Sequence, residues 1–234
     1  KNKIAAIIVE PARGKIFDRK HLLNLKKISK KNKSILIFDE ITSGFRVCIG
    51  GIHKKIKVYP DIAVFAKSIA NGYAMSAILG VKKVMKSAEN TFISSTNWTE
   101  RVGPTAALAT IEKYEKNKVH NHLVKIGKKV KEIWKRVSKK NNIKIKITGI
   151  HSLLSFEFES NDKDLINSIF VSKMLENKVL AFKQFKVSYA HNDKHLIEYE
   201  SAMNKTFKYI SKITNKEKKL FSSSKKSFER LTKN

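Results

Sequence analysis

The sequence predicts an α/β protein, and three features of its first part carry that prediction. Short apolar segments at residues 4–10, 34–40 and 61–67 are rich in β-branched side chains and are separated by polar stretches. Residues 18–33, between the first two segments, place leucine and isoleucine at roughly helical spacing, which gives β-α-β order. Near-continuous apolar strands are typical of parallel sheets that helices cover on both faces. We therefore expect a mainly parallel sheet with flanking helices.

Later segments of this part predict more strands and then two long helices. The apolar runs 76–81 and 91–94 are predicted to extend the sheet. Pro104 suits the first turn of an alanine-rich helix, and a stripe of apolar residues predicts a second helix from about residue 122 to 139. Helices of this length are expected to cover the sheet.

Beyond residue 141 the pattern changes to that of a compact α+β domain. Alternating and helical apolar spacings predict strands at 143–147, 153–158, 179–182 and 186–190, and helices at 164–177 and 193–210. The chain is therefore predicted to contain a large-domain part at 1–120, a small α+β domain at 121–212 and a basic tail at 213–234.

Composition limits the class of protein. The chain has 234 residues, 41% of them hydrophobic, which excludes wholesale disorder. No run approaches the roughly 18 apolar residues of a membrane span, and residues 1–10 lack a secretory cleavage pattern. Cys48 is the only cysteine, which excludes an internal disulfide and a four-cysteine zinc site. We expect a protein of the reducing cytoplasm.

The formal net charge of +29 favours a different class, because a basic surface attracts nucleic acid or anionic lipid. Only six arginines are present, however, and the remaining positive charge is lysine dispersed along every segment. Base-reading proteins favour arginine forks with interleaved aromatic side chains. We expect neither a specific nucleic acid nor a membrane as partner, and a basic nucleic-acid-binding protein is the alternative from a different class.

Two predicted strand ends carry the residues that point to chemistry. Lys67 ends the segment 61–67, directly before a turn signal at Asn71-Gly72, and Asp39 lies at the end of 34–40. Parallel strands present their carboxyl ends to one crevice, so the amine and the acid are expected to lie close together. Pyridoxal phosphate chemistry needs such a pair, because the amine forms a Schiff base and the acid keeps the pyridine nitrogen protonated. The alternatives are a surface lysine and a capping carboxylate.

The segments around these residues resemble a known family. Asp-Glu-Ile-Thr-Ser-Gly-Phe-Arg at 39–46, then Pro60-Asp61, then Lys67 with Asn71-Gly72, resemble the core signature of class III pyridoxal-phosphate aminotransferases. These enzymes have fold type I, and the subgroup of glutamate-1-semialdehyde aminomutase is the most similar. Further resemblance lies at Val9-Glu10-Pro11, Thr99–Pro104 and Ser188–Asp193. It covers residue 3 to about 210 and depends on ordered spacing rather than on any single motif.

The resemblance implies roles for three residues on the predicted crevice. Lys67 would form the Schiff base and move the proton between the substrate α-carbon and the cofactor. Asp39 would hold the pyridinium N–H. Ile41, which faces the same way two residues later in an extended chain, would pack on the ring.

Four further residues receive weaker assignments from the resemblance. Thr99 would bind the phosphate of a neighbouring subunit's cofactor, which implies a homodimer with shared active sites; the alternative is an N-cap for the helix at Pro104. Glu10 would orient the polar network or simply mark a turn. Arg46 and Arg101 are candidates for a substrate carboxylate, with structural ion pairs as the alternative.

The resemblance implies a pyridoxal-phosphate aminotransferase that moves an amino group from a small-molecule donor to an oxo acceptor. An aminomutase using the same Lys67 and Asp39, or a catalytically inactive remnant, is the alternative. The glycine-rich phosphate loop and the stacking aromatic residue of the family cannot be located, so we expect the C-terminal half of the enzyme, with a partial large domain. His191 and His195 have the spacing of a metal pair, but lack an evident third ligand and are expected on a helix surface, so no metal is expected.

Overall fold

The computed structural model describes residues 4–12, 14–94, 96–97, 99–213 and 221 of the chain. This part of the chain divides into two compact units. The first holds the described residues up to Gly127, together with Gly149–Leu153 and Val187–Tyr189. The second holds Lys128–Thr148, Leu154–Lys186 and the described residues from Ala190 onward. A single cut near residue 120 therefore does not separate them, because two short segments return to the first unit.

A four-stranded sheet forms the first unit. Its strands are β1 (Ala6–Val9), β2 (Ile35–Asp39), β3 (Ile62–Phe65) and β4 (Ala77–Gly80), in that spatial order. Strands β1, β2 and β3 are parallel, and β4 runs antiparallel to β3. The predicted mainly parallel sheet is confirmed.

The helices of the first unit are α1 (Arg19–Lys31), α2 (Ile52–Ile56), α3 (Lys82–Met85) and α4 (Val102–Lys116), and α5 (Val119–Lys140) begins there. Single 3₁₀ turns lie at Lys67–Ile69 and Lys86–Asn90. Leu22 of α1 packs against Leu36 and Phe38 of β2 and against Val58, and all four side chains are buried. This cluster fixes β2, which carries Asp39 at its end, against α1.

Four strand predictions need correction. Residues 91–94 form no strand, and Phe92 is 94% exposed, because strand-forming composition does not suffice without a neighbouring backbone to pair with. Burial on both faces is wrong for β4, where Ile78 and Leu79 are more than half exposed. Residues 179–182 are irregular as well, and the last strand lies earlier than predicted, at β7 (Gln184–Lys186).

The second unit has helices and a three-stranded sheet. The sheet has the order β5-β6-β7, where β5 is Ile145–Ile150 and β6 is Leu153–Phe158. Helices α6 (Lys163–Glu176) and α7 (Asp193–Lys212) complete the predicted α+β pattern, and α6 and α7 pack together. The core centres on Phe156, whose ring makes edge contacts with Trp134 at 4.8 Å and with Phe170 at 5.4 Å between centroids.

The remaining predictions concern the tail, the two histidines and the membrane. The tail at 213–234 lies outside the described residues except for Ile213 and Phe221. The helix-surface prediction is wrong for His191, which precedes α7. His195 belongs to a capping box at the start of α7, in which its backbone N–H donates to Asn192 Oδ1 and its Nδ1 accepts from the Asn192 N–H. Over the described ranges, no three His, Cys, Asp or Glu residues are grouped for a metal ion. None of the described helices has the length and apolarity to cross a membrane.

Candidate active site

Parallel pairing of β2 with β3 brings the two predicted strand-end residues to the same edge of the sheet. Asp39 is the last residue of β2 and is in register with Val64 of β3. Lys67 comes two residues after the end of β3. Glu10 follows β1 directly, and Val9 is in register with Phe38, so Glu10 lies at this edge too.

Lys67 has an exposed side chain whose Nζ donates a 2.9 Å hydrogen bond to Thr42 Oγ1. Its backbone has a left-handed φ of 53°, and Asn71 and Gly72 follow with φ of 47° and 112°. Left-handed backbone disfavours a side chain with a Cβ, but seven other described non-glycine residues share a positive φ. The amine contact, rather than the backbone, therefore distinguishes Lys67.

Asp39 and Ile41 form a local turn at the end of β2. Asp39 Oδ1 accepts a 3.0 Å hydrogen bond from the Ile41 N–H, and both side chains are half-buried. This bond occupies one carboxylate oxygen and sets the direction of the side chain at the sheet edge.

Glu40, which the sequence did not single out, is the most buried charged group of this region. Its side chain has no exposed surface. Oε2 accepts a 2.6 Å hydrogen bond from Ser43 Oγ, and Oε1 accepts from the backbone N–H and from Nδ1 of His53, each at 3.1 Å. Burial alone would raise the pKa of Glu40, but the hydrogen bonds from His53, Ser43 and the backbone of Ile52 outweigh it and lower the pKa. The carboxylate is therefore held ionised.

Gly44 and Gly51 have no side chain, and this leaves room for the contacts of Glu40. A Cβ at Gly51 would lie 2.6 Å from Glu40 Oε1 and closer still to His53 Nδ1. A Cβ at Gly44 would lie 2.7 Å from the Glu40 backbone oxygen, which accepts the Gly44 N–H. Any side chain at either position would displace the Glu40 contacts. In the sequence, Gly44 and Gly51 near Glu40 were the signal from which this network could have been predicted.

Arg46 is turned toward the protein rather than toward solvent. Its Nη1 donates to the Val187 backbone oxygen at 3.2 Å, and its Nε is buried with no hydrogen-bond partner in the described chain. Burial lowers the pKa of Arg46, and the nearby Tyr114 opposes that effect. A substrate carboxylate would have to compete with this buried arrangement.

Thr99 and Arg101 are exposed residues just before α4. The predicted N-cap alternative for Thr99 is wrong, because the carboxylate of Glu100 accepts the N–H groups of Val102 and Gly103. These hydrogen bonds lower the pKa of Glu100. The Thr99 hydroxyl is therefore not needed to cap the helix.

A model of the family described as Aminotransferase class-III matches residues 1–213. The chain belongs to the class III aminotransferase family. Enzymes of this family use pyridoxal phosphate. The fold class and the recognised family are thereby confirmed.

Two curated proteins and one solved structure illustrate what this chain is similar to. The chain is 27% identical over 199 residues to 3-aminobutyryl-CoA aminotransferase of Cloacimonas acidaminovorans, covering 82% of this chain and 48% of that protein. It is 30% identical over 174 residues to glutamate-1-semialdehyde 2,1-aminomutase of Methanocaldococcus jannaschii, covering 71% and 40%. The FumI protein of Sphingopyxis sp. MTA144 superposes with a TM-score of 0.81 at 22% identity, covering 90% and 54%. The chain thus spans about half the length of these three proteins.

The residues at the sheet edge fit the needs of the family's cofactor. An exposed lysine amine can react with an aldehyde, and a half-buried carboxylate at the same edge can pair with a protonated ring nitrogen. The hydroxyl of the exposed Thr99 suits a phosphate oxygen. The donor set is therefore chemically consistent with pyridoxal phosphate, and the individual roles stay predictions.

Proposed function

We propose that this chain supplies the lysine and the ring-pairing aspartate of a pyridoxal-phosphate aminotransferase site. The observation that carries the proposal is the common edge of Asp39 and Lys67, with the Lys67 amine bonded to Thr42 three residues after Asp39. Membership of the class III family supports the same conclusion.

Bound pyridoxal phosphate supplies an aldehyde for the lysine and a ring that accepts electrons from the substrate α-carbon. In the proposed site Lys67 and Asp39 hold the cofactor at its aldehyde and ring nitrogen. Ile41 covers a ring face and Glu10 orients polar groups. Lys67 Nζ then takes and returns the proton at the substrate α-carbon, and its exposed position leaves the amine accessible for that task.

We infer that Thr99 serves the cofactor phosphate of a second copy, which makes the site a shared one in a homodimer. Its exposure and its freedom from helix capping support this role. Arg101 is the better candidate for a substrate carboxylate, because its side chain is exposed whereas Arg46 donates to Val187. The small-molecule substrates are an amino donor and an oxo acceptor. The free Cys48 agrees with a cytoplasmic location.

An aminomutase is the second candidate, favoured by the 30% identity to the Methanocaldococcus jannaschii aminomutase. It would use Lys67 and Asp39 identically and return the amino group to the same carbon skeleton. Assay with a single amino substrate and no added oxo acid separates the two, because only an aminomutase turns over continuously under that condition.

The test of the lysine assignment is reductive trapping with peptide mapping. The chain is incubated with pyridoxal phosphate and reduced with borohydride, and the pyridoxyl mass is expected mainly on the peptide that contains Lys67. Lys67→Gln should remove that label. Lys57→Gln is the matched control, because Lys57 is also exposed and also has a left-handed backbone, with φ of 55°. A label spread evenly over the lysines would contradict the proposal.

A further inference from the structure

We propose that Glu40 and His53 form a positioning pair that holds the segment between β2 and α2, and with it the Asp39, Thr42 and Lys67 side chains, in place. The catalytic meaning of those three residues rests on the proposed function, whereas the mechanical role of the pair does not. Neither Glu40 nor His53 is expected to touch substrate or cofactor.

The alternation of side chains along the extended chain makes Glu40 suitable for holding the end of β2. Successive residues of an extended chain point to opposite faces, and Glu40 directly follows β2 and still donates its N–H to β3, so Glu40 turns away from the side that Asp39 occupies. The burial agrees, because Asp39 is half-buried and Glu40 has no exposed surface. Glu40 can therefore fix the strand end from behind without entering the crevice.

Glu40 uses its backbone and both carboxylate oxygens to join three elements. Its N–H donates to the Val64 oxygen of β3 at 2.9 Å, and its own backbone oxygen accepts the Gly44 N–H at 2.7 Å. Its carboxylate accepts from Ser43 and, at the start of α2, from His53. Hydrogen bonds to Glu40 thereby hold both ends of the segment that carries Thr42.

His53 extends the connection to the strand that leads to Lys67. A carboxylate can only accept, so Nδ1 of His53 must carry a proton where it meets Glu40 Oε1. The ring also packs edge-on against Phe65, the last residue of β3, with centroids 6.2 Å apart. The buried Glu40 carboxylate and the His53 ring thus connect the end of β2 to the end of β3.

The test compares His53→Phe, which keeps the ring but removes the Nδ1 donor, with His53→Asn, whose amide N–H lies near the same place. His21→Phe is the matched control, because His21 is an exposed histidine on α1 that contacts Phe17. The first readout needs no cofactor. It is hydrogen exchange, measured by NMR, of the Ile41 and Gly44 amides, which donate to Asp39 Oδ1 and to the Glu40 oxygen.

We expect His53→Phe to speed exchange of these two amides at least about tenfold and His53→Asn to stay within about threefold of the native chain. His21→Phe should leave both amides unchanged. The second readout is the fraction of borohydride-trapped pyridoxyl label on Lys67, which should fall in His53→Phe and recover in His53→Asn. Unchanged exchange in a folded His53→Phe chain would overturn the proposal.

Ser43→Ala decides the question if His53→Phe does not fold. It removes the 2.6 Å donor to Oε2 with a small change in volume, and it should speed exchange at Ile41 and Gly44 by at least about fivefold. Native exchange rates in Ser43→Ala would then count against the positioning pair. Absence of label on Lys67 in the native chain would instead contradict the proposed function. The exchange data would still test the positioning pair.

Discussion

Lys67 Nζ donates a 2.9 Å hydrogen bond to Thr42 Oγ1, across the space between the ends of β3 and β2. Thr42 follows Asp39 by three residues, so this bond links the amine to the segment that begins at the strand-end carboxylate. The exposed lysine side chain is thereby given a direction that a freely rotating amine would lack.

Thr42→Val should slow the reaction of Lys67 with pyridoxal phosphate by about threefold or more. The valine keeps the shape of threonine but removes the oxygen that orients the amine, a hydrogen bond of about 1 kcal/mol. The measurement is the rate at which borohydride-trapped label accumulates on the Lys67 peptide. Thr42→Ser is the control and should react at the native rate; equal rates in Thr42→Val and Thr42→Ser would show that the hydroxyl does not orient Lys67.

Asp39→Asn should reduce aminotransferase turnover by at least about tenfold while Lys67 remains open to labelling. The amide oxygen can still accept the Ile41 N–H, so the local turn is retained, but the negative charge that we propose faces the ring nitrogen is lost. Turnover is followed with an amino donor and an oxo acid. Asp18→Asn, at the exposed N-cap of α1, is the charge-matched control. Native turnover in Asp39→Asn would leave this carboxylate a purely structural role.

The end of β2 could be predicted because its apolar run stops at the charged Asp39, whereas β3 ends at Phe65, two residues before the predicted strand end at Lys67. Asp39 and Lys67 stood out from sequence, and parallel order placed them at one edge. The Glu40–His53 contact could not be predicted in the same way. The two residues are separated by an irregular segment, and no periodicity indicates which side chains a loop brings together.

Strand-forming composition gave wrong predictions where pairing with a neighbouring strand decides the structure. Residues 91–94 contain aromatic and β-branched side chains, yet Phe92 is almost fully exposed and the segment is irregular. The run at 76–81 did form β4, but its antiparallel edge position leaves Ile78 exposed. Composition states which residues tolerate a strand, while partner strands determine whether one forms and what it buries.

Glu40→Gln should destabilise the fold at neutral pH and much less in acid. The pKa of Glu40 is lower in the folded state than its ordinary value, so the folded chain binds the proton less readily than the unfolded chain. The stability from the carboxylate is therefore present above the unfolded pKa of about 4.3 and is lost as the pH falls through the folded pKa.

The measurement for this prediction is the free energy of unfolding in urea from pH 7 down to pH 3. The difference between the native chain and Glu40→Gln should be about 1–3 kcal/mol near pH 7 and should narrow as the pH falls below about 4. Glu112→Gln, an exposed change on α4, is the control and should show a small difference at every pH. A constant difference for Glu40→Gln would mean that packing, not charge, is responsible.

Removing the hydroxyl should change the free energy of unfolding differently at two buried tyrosines. Tyr199 OH accepts a 2.9 Å hydrogen bond from Trp134 Nε1, and both side chains are buried. Tyr114 is also buried, but its hydroxyl has no hydrogen-bond partner in the described chain. Burial raises the pKa of each phenol, so both are neutral near pH 7 and differ in their partners rather than in charge.

Tyr199→Phe is expected to lower the free energy of unfolding by about 1–3 kcal/mol, because the indole N–H of Trp134 is left buried without an acceptor. Tyr114→Phe is expected to change it by less than about 0.5 kcal/mol or to raise it, since a buried hydroxyl without a partner contributes only a desolvation cost. Urea unfolding of the two variants beside the native chain measures both values, each variant serving as the other's control for the loss of one oxygen. A large loss in Tyr114→Phe would reveal a partner for its hydroxyl, such as an internal water between Tyr114 and the buried Nε of Arg46.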